Sequence, residues 1–102
     1  MALIVQKFGG TSVASVECIK TVASKISNTV QSGNKVVVVV SAMAGETDKL
    51  LRLSREITDN PHPRELDVLL ASGEQVSIAL LALELIKRNH KAKSYVGSQI
   101  GV

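Results

Sequence analysis

The segment Lys7–Ser12 combines a cation, two adjacent glycines and two hydroxyls, and it directly follows an apolar run. Paired glycines let the backbone approach a ligand closely, and the amides of such a turn and of the next helix attract anions. Lys7 adds a mobile positive charge, and Thr11 and Ser12 add hydroxyl donors. The pattern matches neither the Walker motif nor the dinucleotide fingerprint. We interpret it as a phosphate-binding turn for a nucleoside triphosphate, with an ordinary Gly-Gly turn as the alternative.

A second polar segment follows five consecutive valines, Val36 to Val40. Ligands of open parallel sheets gather beyond the carboxyl ends of the strands, where Ser41 and Thr47 would lie with Gly45 between them. These hydroxyls are therefore candidate ligand-binding groups. The alternative is that Thr47 only caps the helix that follows.

A third candidate is Glu74, in the segment Ser72–Gln75. Ser72 and Gln75 have the spacing of a capping box, which predicts a helix break near Gly73 and a new helix beginning at Glu74. A carboxylate on a first helical turn is stabilised by the helix dipole and can accept hydrogen bonds from an ammonium group. Helix-end stabilisation alone is the alternative interpretation.

His62, His90 and Cys18 do not form a predicted site, because no pair of them has metal-ligand spacing. Cys18 is the single cysteine and is expected within a helix, half buried or buried. A single cysteine excludes a disulfide within the chain and is typical of a reducing compartment.

The elements that must position these groups follow from apolar periodicity and turn residues. They are predicted strands at 3–8, 35–41 and 92–96, and predicted helices at 15–31, 47–58 and 64–89, the last one interrupted near residue 73. Ser15 is the expected N-cap of the first helix, and Gly33 its expected C′ residue. The alternation predicts an α/β fold with an open, mainly parallel sheet in three layers, and the valine run predicts a strand covered by helices on both faces.

Composition narrows the class of protein. With 102 residues the chain is long enough for one small domain, and its 2% aromatic content disfavours base stacking as a binding mode. The net charge is +3, and the lysines and arginines are scattered among acidic residues instead of forming a basic stripe. A nucleic-acid partner is therefore not expected. The apolar stretches are interpreted as too short or too charged to span a bilayer. We expect a cytoplasmic protein with neither a nucleic-acid nor a membrane partner.

Taken together, the three segments resemble those of aspartate kinases, a family of the amino-acid kinase superfamily. The resemblance rests on Val5–Val13, on Val39–Met43 with Thr47–Leu50, and on Leu70–Glu74, and Gly97–Val102 is similar to the family's next loop. It implies transfer of the γ-phosphoryl group of ATP to the β-carboxylate of L-aspartate, the first step towards lysine, threonine and methionine. Positioning and electrostatic stabilisation suffice for such a transfer.

The resemblance also implies a role for each candidate residue. Lys7 would stabilise charge on the transferred group, Mg²⁺ would be held mainly through the phosphates, and Glu74 would meet the α-ammonium of aspartate. The implied ATP-binding residues are Lys7, Phe8, Gly9, Gly10, Thr11 and Ser12, and the implied aspartate-binding residues are Ser41, Thr47 and Glu74.

The chain is shorter than members of that family, which continue with the rest of the kinase domain and with regulatory ACT domains. We therefore expect residues 1–102 to be an incomplete, amino-terminal portion of the catalytic domain, inactive alone and able to self-associate through a sheet edge or an apolar surface. Two alternatives stay open. One is a non-catalytic module for ligand binding or assembly, and the other is a related kinase acting on glutamate, acetylglutamate or a carbamate.

Overall fold

The computed structural model describes residues 2–95, in which a small α/β unit is built on a pair of parallel strands. In chain order the elements are β1 (Leu3–Phe8), a 3-10 helix (Gly10–Val13), α1 (Val16–Gln31), β2 (Lys35–Val40), α2 (Glu46–Ile57) and α3 (Pro63–Lys87). The predicted bounds of the first two strands and of the first helix are confirmed to within one residue.

The two strands pair in parallel, with Leu3 opposite Lys35 and Phe8 opposite Val40. Helix α1 connects them, since parallel neighbours need a crossover of this length. The Ser15 hydroxyl caps α1 by accepting from the Cys18 amide at 3.2 Å, and Gly33 follows the helix at φ +91°. The predicted α/β class, the parallel pairing and both helix-end residues are therefore confirmed.

The core lies on one face of the sheet. Alternate residues of β2, among them Val36, Val38 and Val40, point towards α1 and α3, as the two-residue period of a strand requires. The most buried apolar side chains are Val13, Ile19, Val22, Ala23, Ile26, Val40, Leu81 and Leu85. Both long helices thus cover the same face.

The opposite face carries apolar residues that remain exposed, and we call it the uncovered face: Leu3, Val5, Val37 and Val39, flanked by Lys7 and Lys35. Val37 is 49% exposed and Val39 47% exposed. Residues 2–95 therefore form a helical layer on one face of the valine strand and none on the other. The cause is that α1 and α3 pack on the same side, so that alternate valines have no layer above them.

Helix α3 runs without a break through Gly73. The Ser72 hydroxyl donates to the Leu69 carbonyl of its own helix rather than capping a new one, which corrects the predicted capping box. Glu74 therefore lies in the middle of a 25-residue helix, away from the positive end of any helix dipole. Packing of Gly73 against its neighbours offsets the cost of about 1 kcal/mol that a glycine brings to a helix interior.

By length and composition alone, α3 is apolar enough to cross a membrane, which corrects the expectation that no stretch of the chain is. The core helix of a soluble protein passes the same test. In residues 2–95 one side of α3 packs on α1 and β2, while Val76 and Leu83 on the other side are exposed.

The segment after α3 forms no strand within residues 92–95, in contrast to the predicted third strand; Val96 and the predicted loop at 97–102 lie outside the described residues. His90 fixes this segment to α1, because its Nε2 lies 2.8 Å from the buried Ser27 Oγ. Arg88 adds a bond to the Lys20 carbonyl at 3.0 Å. Side-chain contacts to α1 hold the segment in place without a strand ladder.

Candidate functional site

The first wall of the candidate site is the turn after β1. Gly9 is extended, with φ −82° and ψ 177°, and the chain then enters the 3-10 helix, where the Ser12 amide donates to the Gly9 carbonyl at 3.1 Å. Val13 anchors the turn because its side chain is fully buried. The amides of Gly10 and Thr11 have no hydrogen-bond acceptor among residues 2–95. Within residues 2–95 the turn therefore presents two amides without an acceptor.

The second wall, residues 41–45 after β2, is bonded directly to the first. The Ser41 amide donates to the Phe8 carbonyl at 3.2 Å, and the Ala44 amide donates to the Gly10 carbonyl at 3.1 Å. Gly45 has φ +85° and forms the N-cap of α2. Backbone hydrogen bonds thus join the two loops at the carboxyl edge of the sheet, where parallel sheets bind their ligands.

Gly10 is the point of closest approach between these loops. A Cβ atom at this position would lie 3.0 Å from the Ala42 carbonyl oxygen and 3.5 Å from the Ala44 backbone. At Gly9 the same atom would meet nothing within 4 Å. The second glycine of the pair is thus required by packing, and the first is free of that constraint.

The third wall is the middle of α3. A Cβ atom on Gly73 would lie 3.3 Å from both the Ala42 Cβ and the Leu50 Cδ1, so the helix approaches the second loop closely. Ser77 is fully buried, and its Oγ lies 2.6 Å from the Ser41 carbonyl oxygen and 3.0 Å from that of Glu74. This hydroxyl connects the end of β2 to the helical turn that carries Glu74.

The predicted site residues occupy different parts of this arrangement. Lys7 is exposed on the uncovered face opposite Val39, and it takes part in no ion pair formed by residues 2–95. Ser41 is half buried at the junction of the walls. Thr47 is exposed on the first turn of α2, and Gly45 rather than Thr47 is the N-cap, because the helix begins at Glu46.

Glu74 is exposed beside the same junction and lines a concave surface together with the edge of β2. Through Ser77 its backbone is linked to Ser41, so these two predicted residues are brought together. Lys7 stands apart from them, on the side of the sheet that no helix covers.

Sequence reasoning missed Ser77. A signal was present, because Ser77 falls in a row of residues spaced by four, Gly73, Ser77, Leu81 and Leu85, that forms the buried side of α3. A serine in such a row needs a hydrogen-bond partner. The partner is the Ser41 carbonyl, which is distant in sequence.

The donors of the site suit an anion better than a bare cation. Within residues 2–95, no group of three or more His, Cys, Asp or Glu side chains is arranged to hold a metal ion. The first wall instead offers two amides without an acceptor among residues 2–95 and the hydroxyls of Thr11 and Ser12, and Lys7 precedes it near the end of β1. Such donors fit phosphate oxygens.

Glu84, whose pKa is lowered, belongs to an ion pair away from these walls. The Arg88 guanidinium, whose Nε lies 2.7 Å from Glu84 Oε2, holds the pKa of that carboxyl below its ordinary value. Arg88 also donates to the Ser24 hydroxyl at 2.9 Å. Arg88 therefore joins the end of α3 to α1.

Comparison with known proteins gives one consistent family. The model of the amino acid kinase family matches residues 2–102. The chain is 57% identical over 102 residues to the aspartate kinase of Pseudomonas putida and 55% identical to the aspartokinase of Geobacillus stearothermophilus, covering all of this chain and 25% of each relative. The crystal structure of aspartate kinase from Synechocystis superposes with a TM-score of 0.92 at 58% identity, covering 95% of this chain and 17% of that one. The chain spans about a quarter of the length of these curated relatives.

Proposed function

The chain belongs to the amino acid kinase family, and on that premise we propose that it is part of an aspartate kinase. The proposed reaction transfers the γ-phosphoryl group of ATP to the β-carboxylate of L-aspartate and forms aspartyl phosphate, the first step towards lysine, threonine and methionine. The relatives that support this assignment are named aspartate kinases and aspartokinases. In this proposal residues 1–102 are an incomplete portion of a cytoplasmic enzyme, without turnover of their own.

The single observation that carries the proposal is the direct bonding of the two loops at the carboxyl edge. The Ala44 amide and the Gly10 carbonyl, 3.1 Å apart, join the predicted phosphate turn to the loop that follows the valine strand. A transferred phosphoryl group and its acceptor must be held within about 3–3.5 Å of each other. The bond between the two walls supports positioning of this kind, which needs no covalent step on the protein.

In the first wall, we assign the phosphates of ATP to the free amides of Gly10 and Thr11 and to the hydroxyls of Thr11 and Ser12. Lys7 supplies the positive charge that offsets charge developing on the transferred group. Phe8 and Gly9 position this wall. The Phe8 carbonyl accepts a hydrogen bond from the Ser41 amide of the second loop, and Gly9 has the extended backbone that leads into the 3-10 helix. Mg²⁺ would be held mainly by the phosphates themselves.

In the second and third walls, we assign aspartate to Ser41, Thr47 and Glu74. Glu74 is exposed and lines a concave surface together with β2, so its carboxylate can accept hydrogen bonds from the α-ammonium of the substrate. The helical turn that carries Glu74 is held by the buried hydrogen bonds of Ser77, and no helix dipole acts at this mid-helix position.

The test of the first wall uses the full-length parent enzyme and two lysines of the same sheet face. Lys7→Ala is expected to lower kcat by about 10²–10³-fold, the effect of removing one transition-state charge stabiliser. Lys35→Ala is the matched control, because Lys35 is an exposed lysine at the opposite end of the uncovered face. Unchanged turnover in Lys7→Ala, or equal losses in both variants, would remove Lys7 from the proposed mechanism.

The test of the aspartate site compares two glutamates of α3. Glu74→Gln is expected to raise the KM for aspartate about tenfold while the KM for ATP stays constant, because it removes one charge-assisted hydrogen bond. Glu65→Gln, an exposed glutamate near the start of the helix, should leave both constants unchanged. Turnover with glutamate, acetylglutamate and carbamate in place of aspartate identifies the acceptor class, and a preference for any of them contradicts the assignment.

A further inference from the structure

The buried side of α3 begins with two small residues, Gly73 and Ser77, and continues with Leu81 and Leu85. Residues four apart lie on one face of a helix, so the small pair stands in the same row as the two leucines. The small pair lets α3 approach the end of β2 closely. A Cβ atom on Gly73 would lie only 3.3 Å from the Ala42 Cβ, which leaves no room for a larger side chain there.

The Ser77 hydroxyl is used between elements as well as within its own helix. A serine inside a helix commonly donates to a carbonyl three or four residues back, and the Glu74 carbonyl oxygen lies 3.0 Å from Ser77 Oγ. The Ser41 carbonyl oxygen is closer, at 2.6 Å. Because a hydroxyl has one proton to donate, the shorter contact marks the Ser41 carbonyl as the main acceptor.

Ser41 is held through both of its backbone groups. Its amide donates to the Phe8 carbonyl of β1 at 3.2 Å, and its carbonyl accepts from Ser77 of α3. These bonds fix the two peptide planes that flank the Ser41 Cα and therefore the direction in which its side chain leaves the backbone. Glu74 is less than one helical turn from Ser77 on a continuous helix. The Ser77 hydroxyl thus connects the backbones of the two residues, Ser41 and Glu74.

We propose that Ser77 is a positioning residue for the acceptor substrate, which sets the spacing between Ser41 and Glu74 and thereby the affinity for aspartate. The proposal rests on the proposed kinase function, in which both residues bind aspartate. Ser77 is fully buried, so it contacts no substrate and acts through the two backbones that it joins. A displacement of about 1 Å in such a support is enough to weaken the binding and reaction of a substrate.

The first test is the kinetics of Ser77→Ala in the full-length parent enzyme. The KM for aspartate is expected to rise about three- to tenfold, because the loss of one buried hydrogen bond loosens the spacing of the two groups that hold it. The KM for ATP should stay constant, since the backbone bonds between the first and second walls are left in place. An unchanged KM for aspartate, or an equal rise in both constants, overturns the proposal.

A variant of matched stability separates positioning from general destabilisation. Ile26→Val removes one methylene from a core residue of α1 that is 3% exposed, at a cost in stability close to that of Ser77→Ala. Its KM for aspartate should equal that of the wild-type enzyme, and urea denaturation of both variants verifies the match. The same selective rise in Ile26→Val would reduce Ser77 to a structural residue and contradict the proposal.

A double variant tests whether Ser77 acts through Glu74. Residues of one hydrogen-bonded network give effects that do not multiply. Ser77→Ala added to Glu74→Gln should therefore leave the KM for aspartate within about twofold of that of Glu74→Gln alone. Full multiplication of the two single effects would show that the residues act independently, which contradicts the proposal.

Ser77→Cys provides a second substitution at the same position. A thiol is a weaker donor than a hydroxyl, so its KM for aspartate should lie between those of the wild-type enzyme and Ser77→Ala. A value equal to that of the wild-type enzyme would mean that the hydrogen bond has no role in positioning.

The outcomes distinguish this proposal from the kinase assignment. A wild-type parent that does not phosphorylate aspartate refutes the assignment itself. A parent that phosphorylates aspartate and responds to Glu74→Gln, but whose KM for aspartate is the same in Ser77→Ala, refutes only the positioning role of Ser77.

Discussion

The carboxyl edge of the sheet and its uncovered face are a few residues apart in sequence, but they differ in how closely other parts of the chain pack against them. At the edge, loops and helix close on one another through the bonds from Ala44 to Gly10 and from Ser77 to Ser41. On the uncovered face, Val37 and Val39 remain about half exposed, at 49% and 47%. Within residues 2–95, packing and hydrogen bonds therefore close the edge, whereas the face stays uncovered.

This contrast shows which parts of the fold are stabilised by residues within the described segment. The edge needs glycines for close approach, a buried hydroxyl and backbone groups, all supplied within residues 8–77. The face carries apolar side chains that no element of residues 2–95 covers, because α1 and α3 both lie on the other side. The kinase proposal places phosphate chemistry at the closed edge, with Lys7 at the boundary between the two regions.

The largest effect on the free energy of unfolding is expected from a substitution at Gly10, where the two loops of the edge approach most closely. Gly10→Ala places a Cβ atom 3.0 Å from the Ala42 carbonyl oxygen, and it should lower the free energy of unfolding by about 2–3 kcal/mol. Gly9→Ala is the control, because its Cβ atom has no neighbour within 4 Å. Urea denaturation measures both, and equal losses would mean that the two loops are not closely packed.

A smaller loss of stability is expected when a hydroxyl is introduced into β2, and its size should differ between consecutive residues that point to opposite faces. Val40→Thr puts a hydroxyl into the core at a position only 7% exposed, and it should cost about 1–2 kcal/mol. Val39→Thr makes the same change on the uncovered face and should cost less than about 0.5 kcal/mol, since water satisfies the hydroxyl. A large loss in Val39→Thr would show that something covers this face.

A smaller effect is expected from the buried hydroxyl that ties α3 to the edge. Ser77→Ala leaves the Ser41 carbonyl without this donor and should lower the free energy of unfolding by about 1 kcal/mol, after the gain in helix propensity. Ser72→Ala, on the exposed side of the same helix, should be neutral or slightly stabilising. The reverse order of the two variants would contradict the role given to Ser77.

The smallest effect is expected on the pH dependence of stability, through the ion pair of Glu84 and Arg88 at the carboxyl-terminal end of α3. The hydrogen bond from Arg88 lowers the pKa of Glu84 in the folded chain, so its stabilising effect is complete above the ordinary pKa of the carboxyl and is lost as the pH falls through the lowered value. Glu84→Gln should therefore flatten the loss of stability in acid. Glu17→Gln, at a glutamate whose side chain is 85% exposed, should not.

Sequence patterns predicted the local features of this fold and missed the features that depend on packing between distant segments. The strands, the Ser15 cap and the turn after β1 follow from residue type and period. The predicted break at Gly73 did not occur, because contacts with Ala42 and Leu50 on other elements favour a continuous helix. Tertiary contact overrode a local capping signal.

The candidate site was predictable to the same extent. The three segments that form its walls were identified from their glycines and hydroxyls, whereas the bond from Ser77 to Ser41 joins residues 36 positions apart and has no local signature. The face towards which Lys7 points depended on which side of the sheet α1 and α3 cover, and that is decided by packing.

The most direct test of the closed edge is hydrogen exchange at the Ala44 amide, which donates to the Gly10 carbonyl at 3.1 Å. In the wild-type chain and in Gly9→Ala we expect this amide to be protected, with exchange slowed to a degree close to that of the β2 amides. In Gly10→Ala we expect its protection to be lost while α1 stays protected. An Ala44 amide that exchanges at the unprotected rate in the folded wild-type chain would contradict the account.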